Sequence, residues 1–107
     1  MPELPEVETV VRTLEHQLQH ANIINCQVFW NNIIAYPSVE KFCENIQNKT
    51  IQSYRRHGKY LIFDLGDMVW ICHMRMEGKF YVQQIDEPYD KHVHVIFQLS
   101  DGRQLRY

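Results

Sequence analysis

The chain has 107 residues, of which 45% are hydrophobic and 12% aromatic, and its formal net charge is −2. This size and composition indicate one small globular domain and exclude an intrinsically disordered chain. No window approaches the roughly 18 consecutive apolar residues of a membrane-spanning helix. The acidic N-terminus also lacks the pattern of a secretory signal. We therefore expect a cytoplasmic protein that does not contact a membrane.

The charge is unevenly distributed, which matters for any interaction with nucleic acid. Residues 1–50 contain three Lys/Arg against six Asp/Glu, whereas residues 51–107 contain eight against seven. The basic residues of the second half cluster in short runs at 55–59, 75–79, 91–94 and 103–106. Phosphate binding requires a local basic face rather than a basic total. The composition is therefore compatible with weak binding to DNA.

Two segments have the hydrophobic spacing of amphipathic helices. Apolar residues recur at helical spacing between residues 5 and 19. A shorter pattern covers residues 38–47, with Ser38 as the expected N-cap. The sequence thus predicts a helix near the N-terminus and a second, short helix.

The remaining patterned segments predict strands, because they are rich in β-branched and aromatic residues and are bounded by turn residues. They cover residues 23–30, 50–57, 60–65, 68–74, 79–84, 92–99 and 103–107. The pairs Gly66-Asp67 and Asp101-Gly102 are typical of hairpin turns. Two helices with about seven strands in hairpin order predict an α+β fold, an antiparallel β-sandwich with an N-terminal helix and a second short helix.

Cysteine and histidine spacing gives little sign of a metal site. Cys26, Cys43 and Cys72 are widely spaced and indicate buried thiols in a reducing compartment. The histidine pairs can each bind a metal in principle, since one pair would share a helix face and the other a strand face, but neither has a third ligand. These pairs are His16 with His20 and His92 with His94. A small metal protein using these histidines stays as a third hypothesis, which metal analysis tests.

The first residues carry the strongest chemical signal. If Met1 is removed, Pro2 becomes a secondary amine, which can attack an aldehyde-level carbon and form an iminium ion. Glu3 and Glu6 place carboxylates beside that nitrogen, where a proton donor or acceptor is needed. A helix start accounts for Pro5 and Glu6. It does not account for a proline at position 2 or an acid at position 3.

The run Pro2-Glu3-Leu4-Pro5-Glu6-Val7-Glu8-Thr9 resembles the N-terminal signature of bacterial formamidopyrimidine-DNA glycosylases, which repair oxidised purines. The resemblance implies a bifunctional DNA glycosylase and AP lyase of base excision repair. It implies that Pro2 forms a Schiff base with C1′ of the damaged nucleotide, with Glu3 and Glu6 as further catalytic residues. β,δ-Elimination follows in that chemistry.

The run Arg55-Arg56-His57-Gly58-Lys59 is similar to a second family segment. In that segment a lysine contacts phosphate and assists β-elimination, which implies a catalytic Lys59 and a phosphate-binding Arg56. A snorkelling lysine is the structural alternative. His57 stands where the family often has another arginine, so one phosphate contact of the family is not matched at that position.

Two further segments resemble DNA-contacting parts of the family. The run from His73 to Gly78 is similar to the loop that fills the void left by an extruded nucleotide. That similarity assigns void filling to Met76 and a DNA contact to His73, whereas Met74 is expected to fill the core. The run beginning at Lys91 is similar to a strand whose first histidine contacts DNA, which implies that role for His92.

The resemblance extends from Pro2 to Tyr107, where the chain stops in a predicted strand. We therefore expect residues 1–107 to be the N-terminal catalytic domain of a longer enzyme, lacking the helix–two-turn–helix region and the zinc finger. No cofactor is expected in this chain. The implied partner is damaged double-stranded DNA, bound by a monomer. The alternative hypothesis is a non-catalytic DNA-damage-binding or structural domain that is inactive without the missing half.

Overall fold

The computed structural model describes residues 4–74 and 78–107. In chain order the elements are α1 (Leu4–Gln17), β1 (Ile23–Val28), a 3-10 helix (Asn31–Ile33), α2 (Val39–Ile46), β2 (Ser53–His57), β3 (Tyr60–Asp64), β4 (Val69–His73), β5 (Tyr81–Gln84), β6 (Val95–Leu99) and β7 (Arg103–Arg106). They divide into two compact units, one with α1 and β2 to β4, the other with the remaining elements. None of the helices in the described residues is long and apolar enough to cross a membrane.

The first unit combines α1 with an antiparallel sheet in the order β2-β3-β4. Strand alternation places Leu61 and Phe63 on the buried face of β3, and α1 packs against β2 and β3. The buried residues of α1 recur at helical spacing, which accounts for its amphipathic sequence. They are Val7, Val11 and Leu14. Beyond the helix end, the buried hydroxyl of Tyr54 donates a 2.7 Å hydrogen bond to the carbonyl of Leu18.

Glycines shape the two turns of this sheet. Gly58 and Gly66 have φ values of 60° and 93°, in the left-handed region that favours glycine. His57 pairs with Tyr60, so Gly58 and Lys59 form a two-residue hairpin turn. The second turn follows β3 and contains Gly66, as the sequence predicted. Lys59 therefore lies at the tip of the β2-β3 hairpin.

The second unit combines α2 with a four-stranded antiparallel sheet in the order β1-β6-β7-β5. β6 is an interior strand, and its side chains are largely buried: Val95, Ile96, Phe97 and Leu99. α2 packs against β1, and the ring of Phe42 lies 6.2 Å from that of Phe97. The predicted N-cap is confirmed, since the hydroxyl of Ser38 accepts a 3.2 Å hydrogen bond from the backbone N–H of Lys41.

The predicted α+β class with antiparallel pairing is confirmed. The prediction that successive strands pair as hairpins is correct for only some of the strands. The pairs β2-β3, β3-β4 and β6-β7 are hairpins, but β1 pairs with β6 and β5 pairs with β7. Turn residues identify hairpins because they act locally. They carry no information about strands that pair across a long sequence separation.

The expectation that His16 and His20 lie on one helix is wrong. α1 ends at Gln17, and His20 follows in a left-handed conformation with φ 53°. Histidine tolerates this conformation better than β-branched residues do. His16 and His20 consequently do not share a helix face.

The expected strand pair of histidines is also wrong. β6 begins at Val95, so His92 and His94 both precede it. The backbone N–H of His92 instead donates a 2.8 Å hydrogen bond to the side chain of Asp90. Such local side-chain bonds compete with strand pairing, which accounts for the late start of the strand.

Candidate nucleic-acid interface

Three of the predicted site residues lie outside the described part of the chain: Pro2, Glu3 and Met76. Glu6 is exposed in the first turn of α1, the helix that follows Pro2 and Glu3 in sequence. Met74, which precedes the void-filling segment, is buried as predicted. The described residues therefore include sequence neighbours of the predicted catalytic N-terminus and wedge, but Pro2, Glu3 and Met76 stay predictions.

Lys59 occupies the hairpin tip between β2 and β3, next to a glycine that has the left-handed conformation. Its side chain is partly buried. A two-residue turn allows few backbone conformations. The ammonium group of Lys59 is therefore carried on a well-defined backbone at the end of the sheet, where the sequence predicted a strand end.

Arg56 holds this turn to the helix. Its Nε donates a 3.0 Å hydrogen bond to Oε2 of Glu8, and its Nη1 donates a 3.1 Å hydrogen bond to the carbonyl of Gly58. One guanidinium thus joins α1 to the residue that precedes Lys59. The predicted phosphate contact by Arg56 stays a prediction, and 33% of the side chain is exposed for such a contact.

Glu8 is a site residue that sequence reasoning missed. The hydrogen bond from Arg56 lowers the pKa of the Glu8 carboxyl below its ordinary value. Desolvation opposes this shift, and Arg12 at 3.5 Å assists it. The carboxylate is therefore ionised at neutral pH. The available signal was strand alternation, which puts Arg56 on the same face as buried Tyr54 and hence toward α1.

His73 lies at the same end of the sheet as Lys59. It ends β4 and pairs with Tyr60, and the two rings are 5.0 Å apart. His57 pairs with Tyr60 from the other side, so the side chains of His57, Tyr60 and His73 lie on the same face of the sheet. Arg56, Lys59 and His73 therefore lie at the same end of the sheet, but Arg56 is on the face toward α1 and His73 is on the opposite face, beside Tyr60, which the sequence did not single out.

His92 belongs to the second unit and is exposed in the segment that precedes β6. His94 contacts the ring of Trp30 at 5.0 Å, and its carbonyl accepts a 2.7 Å hydrogen bond from the backbone N–H of Phe29. His94 therefore supports the fold, while His92 is exposed to solvent.

The described residues contain no group of three or more His, Cys, Asp and Glu side chains that could hold a metal ion. The three cysteines are thiols of intermediate exposure, less buried than expected. Burial, reinforced by a hydrogen bond with Cys43, raises the pKa of the Cys26 thiol. Cys72 lies on β4, in the other unit. These thiols do not fit a four-cysteine zinc site.

Comparison with known proteins gives consistent matches along the chain. The family model of the formamidopyrimidine-DNA glycosylase N-terminal domain matches residues 1–107. The formamidopyrimidine-DNA glycosylase of Bacillus subtilis (strain 168) is 51% identical over 108 residues, covering 100% of this chain and 39% of the relative.

Solved structures agree with this match. A complex between the Lactococcus lactis Fpg and an abasic site containing DNA superposes with a TM-score of 0.91 at 39% identity, covering 98% of this chain and 39% of that chain. A structure of MutM in complex with carbocyclic 8-oxo-G containing DNA has a TM-score of 0.91 at 40% identity, again covering 98% of this chain and 39% of that chain.

The chain therefore spans about 39% of the length of these relatives. The family model nevertheless matches all of its residues. The chain belongs to the family of formamidopyrimidine-DNA glycosylase N-terminal domains.

Proposed function

We propose that this chain is the catalytic domain of a bifunctional DNA glycosylase and AP lyase that removes oxidised purines, such as 8-oxoguanine and formamidopyrimidines, in base excision repair. Family membership over residues 1–107 supports the glycosylase assignment. The relatives solved with abasic-site DNA and with 8-oxo-G DNA support a damaged duplex as the partner. The bacterial relatives favour action on chromosomal DNA in the cytoplasm. We further propose that the protein acts as a monomer.

The observation that carries the proposal is the hairpin tip that holds Lys59. Arg56 fastens this turn to Glu8 on α1, and α1 follows directly on the Pro2-Glu3 segment. The turn that carries the Lys59 cation is thereby joined to the helix that follows the proposed nucleophile in sequence. This arrangement suits a reaction in which the lysine acts on a sugar phosphate bound at the chain terminus.

In the proposed reaction the neutral amine of Pro2 attacks C1′ of the damaged nucleotide, and the C1′–N bond to the base breaks with its electron pair leaving on the base. Glu3 supplies a proton, which permits base loss and opening of the sugar ring. Glu6 contributes a second carboxylate near the amine. The resulting iminium accepts the electron pair released when C2′ loses a proton, and the 3′ phosphate leaves by β-elimination, assisted by Lys59. An α-amine has a reference pKa of about 7.7–8.0, so a minority is nucleophilic at neutral pH.

The DNA contacts in this proposal come from both units. Arg56, Lys59 and His73 would contact phosphates from the end of the three-stranded sheet, and His92 would contact DNA from the second unit. Met76 would fill the space left by the extruded nucleotide. Later elimination of the 5′ phosphate would draw on residues outside this chain.

Borohydride trapping tests the proposal. The protein with Met1 removed, verified by intact mass, is expected to form a covalent adduct with a duplex that contains an abasic site. A matched form that retains Met1 is expected to form none, because its Pro2 nitrogen is a tertiary amide. Binding of the duplex without any adduct from the processed form would favour the alternative, a non-catalytic DNA-damage-binding domain.

A further inference from the structure

Arg106 is a buried cation that the proposed reaction does not use. The side chain is 0% exposed and lies at the end of β7 in the second unit. Its Nε donates a 2.9 Å hydrogen bond to the side-chain oxygen of Gln104, and its Nη1 donates one of 2.7 Å to that of Gln83. Buried charges require such hydrogen bonds. These acceptors are uncharged, so the residue is not explained by a simple ion pair.

The remaining hydrogen bonds of Arg106 reach one short segment of backbone. Nη2 donates to the carbonyls of Gln84 at 3.1 Å and Glu87 at 2.8 Å, and Nη1 donates to the carbonyl of Pro88 at 3.4 Å. The guanidinium carbon also lies 5.3 Å from the centre of the Tyr89 ring. A planar fork with five N–H groups can bridge several carbonyls in this way. The start of the segment between β5 and β6 is thus fixed to β7.

The end of the same segment is fixed to Tyr107, the residue that follows β7. The backbone N–H groups of His94 and Val95 donate to the carbonyl of Tyr107 at 2.7 and 3.2 Å. Between the two anchors, Lys91 and His92 are exposed, and the N–H of His92 is held by the Asp90 side chain. Residues 106 and 107 together therefore hold both ends of a segment whose middle displays two adjacent basic side chains.

We propose that Arg106 is a positioning residue for this basic crest, defined as Lys91 and His92, and that it thereby supports the DNA contact proposed above for His92. The identity of the ligand rests on the proposed function. The positioning role does not, since it follows from contacts within the second unit. Arg106 itself is fully buried, so it would affect DNA binding only through the segment that it orders.

Hydrogen exchange tests the positioning role without DNA. In an Arg106→Lys variant the charge remains, but a single ammonium cannot reproduce the fork. We expect the amides of His92 and Val93 to exchange about ten-fold faster or more, while amides of β6 keep their protection. The matched control is Arg103→Lys on the same strand, whose guanidinium bonds to Asp101 at 2.7 Å in the β6-β7 turn. Unchanged exchange at His92 in a folded Arg106→Lys protein would overturn the role.

Binding to a duplex with a tetrahydrofuran abasic analogue tests the role of the crest. We expect Arg106→Lys and His92→Ala each to weaken binding by about ten-fold and the double variant to lose no more than either, because both act on one contact. Borohydride trapping by Arg106→Lys at saturating abasic DNA should stay within about two-fold of wild type, since Arg106 is not part of the proposed chemistry. Additive losses, or unchanged binding despite faster exchange, would overturn the inference. If the wild type fails to bind this duplex, the proposed function fails, while the exchange experiment still decides the positioning role.

Discussion

Two arginines fix loops in the two units, and they do so in opposite electrostatic settings. Arg56 is 33% exposed and bonds a carboxylate, that of Glu8, together with one carbonyl in the Lys59 turn. Arg106 is 0% exposed and bonds five uncharged oxygens. The exposed arginine has a counter-charge and solvent nearby, whereas the buried arginine depends on a complete set of hydrogen-bond acceptors.

This difference predicts how firmly each loop is held. An exposed ion pair gains little free energy, and salt screens it. A buried cation that loses its place leaves several carbonyls without donors, and this costs much more. The Arg56–Glu8 ion pair should therefore add little free energy to the Lys59 turn, whose backbone conformation is set by its two-residue length. The basic crest should be held rigidly.

The largest expected effect is a difference in the free energy of unfolding between variants of the two arginines. Arg106→Met should lower the free energy of unfolding by about 3 kcal/mol, because it leaves buried carbonyls and amide oxygens without donors. Arg56→Met should cause a clearly smaller loss, since water can replace its bonds. Urea denaturation of both variants checks this. Equal losses of stability would show that the buried arginine does not hold its loop more firmly than the exposed one.

The next effect concerns the backbone of the Lys59 turn rather than its side-chain anchor. Gly58 has φ 60° and open space where a Cβ would lie, so Gly58→Ala introduces backbone strain without a clash. The expected cost is about 1–2 kcal/mol. Gly58→Asn should cost less, because asparagine tolerates this conformation. Thermal denaturation of both variants measures the difference, and an alanine variant as stable as wild type would contradict the strained turn.

A smaller effect is expected for the uncharged counterpart of Arg106 in the first unit. Tyr54→Phe removes the 2.7 Å hydrogen bond to the Leu18 carbonyl and leaves the ring in place. The loss should be about 1 kcal/mol, typical of one neutral hydrogen bond. Urea denaturation beside Arg106→Met checks whether the number and charge of the bonds, rather than burial alone, set the cost. A loss as large as that of Arg106→Met would contradict this view.

Local signals predicted the elements well, and they failed where distant partners decide the structure. The helix that Ser38 caps and the turn that contains Gly66 depend on neighbouring residues, so they could be read from the sequence. The pairing of β1 with β6 depends on residues about seventy positions apart, and turn chemistry does not encode it. The strand predicted from His92 onward is an exception, because the local hydrogen bond from the His92 N–H to Asp90 competes with strand pairing.

The candidate site divides in the same way. The Lys59 region was identified because its basic run resembles a family motif, and the structure places Lys59 and His73 at one sheet end. The anchors were not identified. Glu8 and Arg56 are 48 residues apart, and the buried state of Arg106 contradicts the usual exposure of arginine. Residues that act through distant contacts need the fold before they can be recognised.

The smallest effect isolates the electrostatic part of the Arg56 anchor. Because the folded state lowers the pKa of Glu8, its contribution to stability is fully present above the ordinary glutamate value of 4.5 and is lost as the pH falls through the folded value. The stability difference between wild type and Glu8→Gln should therefore be constant from neutral pH down to the ordinary value of 4.5 and should shrink below it. Urea midpoints between pH 7 and pH 3 measure this.

Glu15→Gln provides the matched control, because Glu15 is exposed on the same helix. About 1 M NaCl should reduce the Glu8 difference at neutral pH, since salt screens exposed charges. The same salt should leave the Arg106→Met difference largely unchanged, because the partners of Arg106 are uncharged and excluded from solvent. A Glu8 difference that persists at low pH and in high salt would mean that Glu8 stabilises the turn through packing rather than charge. The contrast between an electrostatic anchor and a hydrogen-bonded one would then no longer hold.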